Sequence, residues 1–299
     1  MPGMIPSRLM VVLSMKTIRN LLILGIFSIS GSMSISISAM AGDCPAAPDA
    51  MASALANLVT APVITGDDEA DARIRLLAES RGYRPQMVLA DQKKLVFPWS
   101  IHHCVLASWQ AMRSAALEQG FALSIVSGYR SIARQRQIFL SKLDAYDVAV
   151  EDILNGAADR RIHAILEFSA IPGYSRHHNG FTIDIQNDGT GLNDFGNSPA
   201  YHWLAADSFR IARQFGFLPS YPDELPGQGP VPEPWEFIWV GESAQSASAG
   251  ELSAMRGNPL IEVARRILAA LDRADPGQSL AGPSSPAGPL PIDDGLPGG

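Results

Sequence analysis

Between residues 103 and 120 the apolar side chains recur at steps of three and four, the spacing of one face of an α-helix. Residues 121–126 are predicted to form a strand, and 181–185 a second strand with Thr182 and Asp184 on one face. The same criteria predict helices over 67–82, after Ser131, over 199–215 and over 259–272, and a last strand over 235–240. This mixture indicates an α+β fold, with a central antiparallel sheet and helices packed on one side.

The composition of the chain divides it into four parts. Residues 42–84, rich in Ala and Pro, are predicted to be a linker with a helical segment, and 85–242 to be the main domain. Within that domain, 144–171 is predicted to be a polar insertion. Residues 243–299 are predicted to be a helix and a flexible Pro/Gly-rich tail that together form an appendage.

Residues 1–41 have the pattern of a secretory signal. Lys16 and Arg19 precede an apolar run, and small residues around Ala41 predict cleavage there. A retained membrane anchor is the alternative, although the Ser-rich second half makes a poor spanning helix. The expected location is outside the cytoplasm, in the periplasm or cell envelope, with membrane contact only if this segment is retained.

Composition and charge narrow the class of protein. The 299 residues are 46% hydrophobic, which supports a folded core. Because 23 basic residues face 30 acidic ones, a nucleic-acid or anionic-lipid surface is not expected. The two cysteines, Cys44 and Cys104, either form a disulfide permitted by export or remain one buried and one exposed thiol.

The candidate chemistry begins with His177 and Asp184, which lie seven residues apart with Gly180 between them. Imidazole and carboxylate are both ordinary zinc ligands, and a catalytic zinc site needs three protein ligands and an open position for water. Glycine permits a sharp turn, and the following strand places Asp184 beside Thr182. The turn and strand can therefore direct both groups to one metal ion.

Two further segments make the pattern specific: S-G-Y-R-S at 127–131, followed by Gln135, and E-P-W-E at 233–236. With 175–184, they resemble the D-alanyl-D-alanine carboxypeptidase (VanY-like) family of zinc peptidases, which shares its fold with lysostaphin-type peptidases and the hedgehog signalling domain. The family pattern is S-G-Y-R-S, then S-x-H-x-x-G-x-A-x-D, then E-x-W-H. This chain has Thr182 in place of alanine and Glu236 in place of the last histidine. The resemblance covers roughly residues 95–241.

The resemblance implies a role for each matched residue. His177 and Asp184 are implied as metal ligands, and Glu233 as the general base. Arg130 is implied to hold the substrate or the oxyanion. The substrate-binding set is completed by Ser175, Gln135 and Tyr129.

The departure at position 236 concerns a metal ligand of the family pattern. Glutamate is an accepted zinc ligand, so Glu236 is the expected third ligand, with His202 as a weaker alternative. Two carboxylates cancel the charge of the ion, which acidifies bound water less and favours harder metals such as Mn²⁺ beside Zn²⁺. On a regular strand, Glu233 and Glu236 would face opposite sides, so Glu233 is expected in the loop before the strand.

The leading hypothesis is an exported metallopeptidase that hydrolyses peptidoglycan stem peptides, as a D-alanyl-D-alanine carboxypeptidase. Its partner would be peptidoglycan or its precursor peptides. Two alternatives remain open. One is a weakened or inactive peptidoglycan-binding protein, which Glu236 favours. The other is a cell-wall endopeptidase that cleaves a different bond of the stem.

Overall fold

The computed structural model of the protein describes residues 55–56, 61–223, 225–241 and 259–271. The predicted signal at 1–41 and the tail beyond 271 lie outside these ranges. In chain order the helices and strands are β1 (Leu55–Ala56), α1 (Asp68–Ser80), β2 (Val88–Leu89), β3 (Leu95–Val96), β4 (Ile101–His102), α2 (His103–Glu118), β5 (Leu123–Ser127), α3 (Ile132–Ala145), α4 (Val150–Asn155), α5 (Asp159–Leu166), β6 (Thr182–Asn187), α6 (Pro199–Gln214), β7 (Phe217–Tyr221), β8 (Glu233–Trp239) and α7 (Pro259–Leu271).

The central sheet has four antiparallel strands in the order β5-β6-β8-β7. Two small antiparallel pairs, β1-β2 and β3-β4, accompany it. The α+β class predicted from the sequence is therefore confirmed. Strand order matters for the site, because β6 and β8 are the central strands and the other two are the edges.

The main hydrophobic cluster joins the sheet to three helices. Ile183 and Ile185 of β6 and Phe237 and Trp239 of β8 contribute to it, as alternation along each strand requires. The helical contributions are the buried faces of α2, α6 and α7. Trp239 stacks on Phe181 and is a core residue.

A second hydrophobic cluster lies among α1, α3, α4 and α5 and contains no residue of the four-stranded sheet. Helix α1 packs against α4 and α5, and Arg73 of α1 forms a two-pronged ion pair with Asp159 of α5. The region 144–171, predicted to be a polar insertion, is thus largely helical. Each of its helices buries apolar side chains, which are Ile153 in α4 and Ile162, Ile165 and Leu166 in α5.

Two other elements differ from the prediction. Strand β7 was not predicted, and it pairs with β8 as the edge of the sheet. Helix α7 has the predicted bounds to within one residue, but it is not part of an appendage. Ala264, Ile267, Leu268 and Leu271 are buried in the main cluster.

Cys104, in the first turn of α2, is disulfide-bonded. Cys44, the other cysteine of the sequence, lies outside the described residues. Among the helices of the described ranges, none has both the length and the apolar character needed to cross a bilayer.

Candidate metal centre

Three side chains that the sequence predicts as metal ligands meet on the central strands. His177 lies in the 3₁₀ turn Arg176–Asn179, Asp184 in β6 and Glu236 in β8. One donor atom of each lies within 4.8 Å of the other two, and all three residues are buried. His177 Nε2 is 3.2 Å from Asp184 Oδ1 and 3.3 Å from Glu236 Oε2.

The turn that carries His177 is formed by its own sequence. Ser175 caps it, accepting a hydrogen bond from the backbone N–H of His177. Gly180 ends it at φ 77°, in the left-handed region, as the predicted sharp turn requires. His177 Nδ1 donates to the carbonyl of Gly128 at 2.6 Å, so its Nε2 faces the two carboxylates.

Asp184 and Glu236 are directly opposite each other on β6 and β8. Like charges in a cross-strand pair are destabilising, so this arrangement requires a compensating positive charge. Asp184 Oδ1 and Glu236 Oε1 are buried and accept no hydrogen bond of good geometry from the described residues, although Asp184 Oδ1 lies 3.2 Å from His177 Nε2. Buried polar atoms without partners are rare, and oxygens that face one imidazole nitrogen fit a divalent cation.

The pKa values of His177 and Glu236 are shifted in opposite directions by the charges around them. Burial lowers the pKa of His177, but Asp184 and Glu236 outweigh it and raise the pKa to about 10. Burial raises the pKa of Glu236, whereas His177, the Ser220 hydroxyl and Arg176 bring it down to about 2. Because histidine binds metals in its neutral form, a metal ion must displace one proton from His177.

Glu233 reaches the same side of the sheet as Glu236 through an irregularity in β8. Pro219 pairs with Phe237 and Tyr221 with Glu233, so three residues of β8 face one residue of β7. The expectation that Glu233 lies before the strand is therefore wrong, because a bulge changes the alternation of side chains. Burial, followed by the charges of Glu236 and Asp184, raises the pKa of Glu233 well above its usual range.

Arg130 lies beside the metal centre, at the end of β5. Its guanidinium donates to Gln135 Oε1 and to Ser127 Oγ, and Nη2 is 3.8 Å from Asp184 Oδ2. Gln135 is fully buried, and its amide nitrogen donates to the carbonyl of Ala170. Gln135 therefore positions Arg130 from behind, and the expected direct contact with substrate does not fit its burial.

Two further predicted substrate residues have structural contacts of their own. Ser175 is buried as the cap of the His177 turn. Tyr129 packs against the main cluster, and its backbone N–H donates to Ser100. Ser175 therefore shapes the turn of His177, and Tyr129 ties the turn after β5 to the loop that contains Ser100.

Two further residues support the site from behind the ligands. For His178 the sequence left open a supporting position or an exposed one, and the structure has the first: it is fully buried and joins the Gly173 N–H to the Arg130 carbonyl. Arg176 is buried, stacks 3.8 Å from the ring centroid of Tyr221 and donates to Ser220. Their position beside His177 in the sequence was the only signal for either.

Other candidate ligands lie elsewhere. His202 is exposed on α6 and is not among the convergent donors. His102, His103 and Cys104 also bring three donor atoms within 4.8 Å of one another, but the sulfur of Cys104 is in a disulfide. His103 begins α2 and His102 caps it, as expected for a helix start.

Comparison with known proteins shows what this chain is similar to. Residues 99–242 match the family described as VanY, D-alanyl-D-alanine carboxypeptidase. A D-alanyl-D-alanine carboxypeptidase of Enterococcus faecalis is 33% identical over 137 residues, covering 45% of this chain and 46% of that protein. The chain thus spans a little under half the length of this relative.

Solved structures of similar proteins include the vancomycin-resistance D,D-pentapeptidase VanY from a VanB-type cassette, in complex with Zn(II). It is 26% identical, the match covers 60% of this chain and 94% of that one, and the TM-score is 0.42. The LD-carboxypeptidase LdcB is 29% identical, with 48% of this chain and 61% of that one covered and a TM-score of 0.38.

Proposed function

We propose that this protein is a metal-dependent peptidase that hydrolyses peptidoglycan stem peptides, as a D-alanyl-D-alanine carboxypeptidase, and the match of residues 99–242 to the VanY family supports this. The observation that carries the proposal is the convergence of His177, Asp184 and Glu236, two of them with buried oxygens that lack partners. Such a donor set suits Zn²⁺, with Mn²⁺ as the alternative that the two carboxylates favour. A divalent cation held there supplies an acidified water and polarises the scissile carbonyl.

Glu233 is the general base of the proposed reaction. Its carboxylate faces the same side of the sheet as Glu236, and burial with the charges of Glu236 and Asp184 raises its pKa, which favours the protonated form. The two positive charges of a bound divalent cation would lower the pKa of Glu233. Its carboxylate could then take a proton from water and deliver it to the leaving amine.

Arg130 binds the carboxylate at the end of the peptide. A guanidinium offers two parallel N–H groups to a carboxylate, and Gln135 and Ser127 fix its plane from the opposite side. His178 fixes the backbone of Arg130 as well, through its carbonyl. A terminal carboxylate held beside the metal centre is what a carboxypeptidase requires.

Export remains part of the proposal. A disulfide at Cys104 supports an oxidising compartment, where peptidoglycan is found, and the apolar segment at 21–29 supports a secretory route. The predicted location is therefore the periplasm or cell envelope.

The test combines metal content with hydrolysis. The parent protein, reloaded with Zn²⁺ or Mn²⁺, is expected to release D-alanine from a peptide ending in D-Ala-D-Ala. Glu233→Gln should keep one metal ion and lose about 10²- to 10⁴-fold in rate. Asp184→Ala should lose stoichiometric metal, while Asp188→Ala, an exposed residue just past β6, serves as the matched control.

Three results would contradict parts of this proposal. Equal metal content in Asp184→Ala and the parent would remove the metal assignment. A parent that binds metal and peptide but releases no D-alanine would be a non-catalytic wall-binding protein. Cleavage elsewhere in the stem would make it an endopeptidase.

A further inference from the structure

A cavity of about 50 Å³ lies at the β7 edge of the sheet, next to the metal centre. Arg84, Arg176 and Arg266 line it, together with aromatic and amide side chains. Among the described residues that line it, none is acidic. A single water needs about 10–15 Å³, so the cavity has room for a group of three or four heavy atoms, the size of a carboxylate.

Two side chains of the cavity each keep one buried polar atom without a hydrogen-bond partner among the described residues. Arg176 is only 6% exposed, and its Nε has no hydrogen-bond partner among the described residues. The second is Gln228 Oε1, an acceptor, which offers no hydrogen bond to an anion. A buried N–H donor without an acceptor costs free energy, so the Nε of Arg176 favours an anionic oxygen brought within its reach.

The charge of the cavity points to the same ligand. Arg176 is compensated in part by Glu236, whose pKa it helps to lower after the larger effects of burial, His177 and Ser220. Once Glu236 coordinates a cation, its charge is shared with that ion and Arg176 loses part of its compensation. Arg84 and Arg266 are exposed, so the arginine cluster is in contact with solvent and attracts anions.

Strand order fixes where this cavity lies relative to Arg130. Arg130 follows β5 at one edge of the sheet, Ser220 and Tyr221 lie on β7 at the other, and two of the metal ligands, Asp184 and Glu236, are on β6 and β8 between them. The two arginine sites are therefore associated with opposite edges of the sheet, with these ligands between them.

We propose that this arginine cavity is a specificity subsite that binds a carboxylate of the substrate peptide on the amino-terminal side of the scissile bond. The proposal rests on the proposed function, since it assigns the terminal carboxylate to Arg130. It selects acidic peptides, because the charges of Arg84, Arg176 and Arg266 meet no acidic side chain in the lining and a neutral residue leaves them uncompensated.

The experiment uses pairs of peptides ending in D-Ala-D-Ala that differ in one residue, glutamate or glutamine, placed one to three positions before the scissile bond. The parent is expected to prefer one acidic peptide about tenfold in kcat/KM. The double variant Arg84→Gln/Arg266→Gln should lose most of that preference. Arg134→Gln/Arg160→Gln, with the same change of charge at exposed positions, should keep it.

Binding without hydrolysis separates the subsite from the proposed function. Calorimetric titration of Glu233→Gln with the same peptides should show tighter binding of the acidic peptide. The arginine double variant should lose this preference in binding, whether or not the parent releases D-alanine. Equal binding of every glutamate and glutamine pair would overturn the subsite, and so would an unchanged preference in the double variant. If glutarate alone binds as tightly as the acidic peptide, the cavity serves a free dicarboxylate and the substrate assignment is wrong.

Discussion

The guanidinium of Arg130 is held at two of its nitrogens, by Gln135 and Ser127, before any ligand arrives. Arginine can make these bonds and still present N–H groups to a carboxylate, whereas lysine has one nitrogen for all of them. Preorganisation of this kind is what distinguishes a binding arginine from a solvated one.

Arg130→Lys is therefore expected to reduce hydrolysis of peptides with a free terminal carboxylate by about 2–4 kcal/mol of transition-state stabilisation. Peptides amidated at that end should lose much less. The measurement is kcat/KM for both peptides, with thermal unfolding to show that the fold is intact. Unchanged relative rates would favour the endopeptidase alternative.

A second residue, His102, makes the stability of the fold depend on pH. His102 is buried, and its Nδ1 accepts the N–H of Cys104 as the cap of α2. Burial, helped by the nearby charges of His103 and Lys94, lowers the pKa of His102 to about 4. A folded-state pKa below the unfolded value means that this histidine favours folding above about pH 6.5 and that the contribution is lost as the pH falls towards 4.

His102→Asn should flatten that dependence, because asparagine caps a helix without titrating. The parent is expected to lose up to about 3 kcal/mol more unfolding free energy than the variant between pH 6.5 and 4. Urea unfolding at several pH values measures this, with exposed His202→Asn as the control. Parallel pH profiles for parent and His102→Asn would disprove it.

At the scale of elements, the turn after β5 orients His177, one of the ligands of the metal centre. A Cβ on Gly128 would lie 2.3 Å from the Trp99 carbonyl and 2.6 Å from the Ser100 carbonyl, so no side chain fits there. The carbonyl of Gly128 in turn accepts from the imidazole of His177. The loop between β3 and β4 thus determines how His177 is oriented.

Gly128→Ala is expected to weaken Zn²⁺ binding about 10- to 100-fold, the effect typical of losing a ligand's outer hydrogen bond. It should also cost about 1–3 kcal/mol of stability through overpacking. Competition with a chromophoric chelator and thermal unfolding give the two values. Gly191→Ala, whose added Cβ would meet only ordinary contacts, should change neither.

Individual helices and strands also show which parts of the fold could be predicted from the sequence and which could not. Strong three- and four-residue periodicity predicted α2 and α6, and the Ser131 cap predicted α3, whose first turn it caps as expected. Helices α4 and α5 are six and eight residues long, too short for a clear period, and they were missed. The bulge in β8 depends on pairing with β7, a long-range contact that no local pattern contains.

For the whole molecule, the matched region and the folded unit have different boundaries. The family match ends at residue 242, whereas α7 buries Ala264, Ile267, Leu268 and Leu271 in the main cluster. Removing residues 242–299 should therefore expose apolar surface of both the sheet and the cluster. Burying three large aliphatic side chains contributes about 5 kcal/mol as an upper estimate.

A chain that ends at residue 241 is expected to unfold at a clearly lower temperature than one that ends at residue 272, which keeps α7. Scanning calorimetry gives the melting temperatures of the two shortened chains for direct comparison. Equal melting temperatures would show that α7 adds nothing to the stability of the domain.

The disulfide at Cys104 also affects how many metal-binding donor sets the described part of the chain can offer. The sulfur of a disulfide is not a thiolate, so in the oxidised protein the neighbouring His102 and His103 have no strong third ligand. Reduction would complete a Cys-His-His set in addition to that of His177, Asp184 and Glu236. A preparation made in reductant is therefore expected to bind more zinc than the oxidised protein, and the redox history of the sample enters any count of metal per chain.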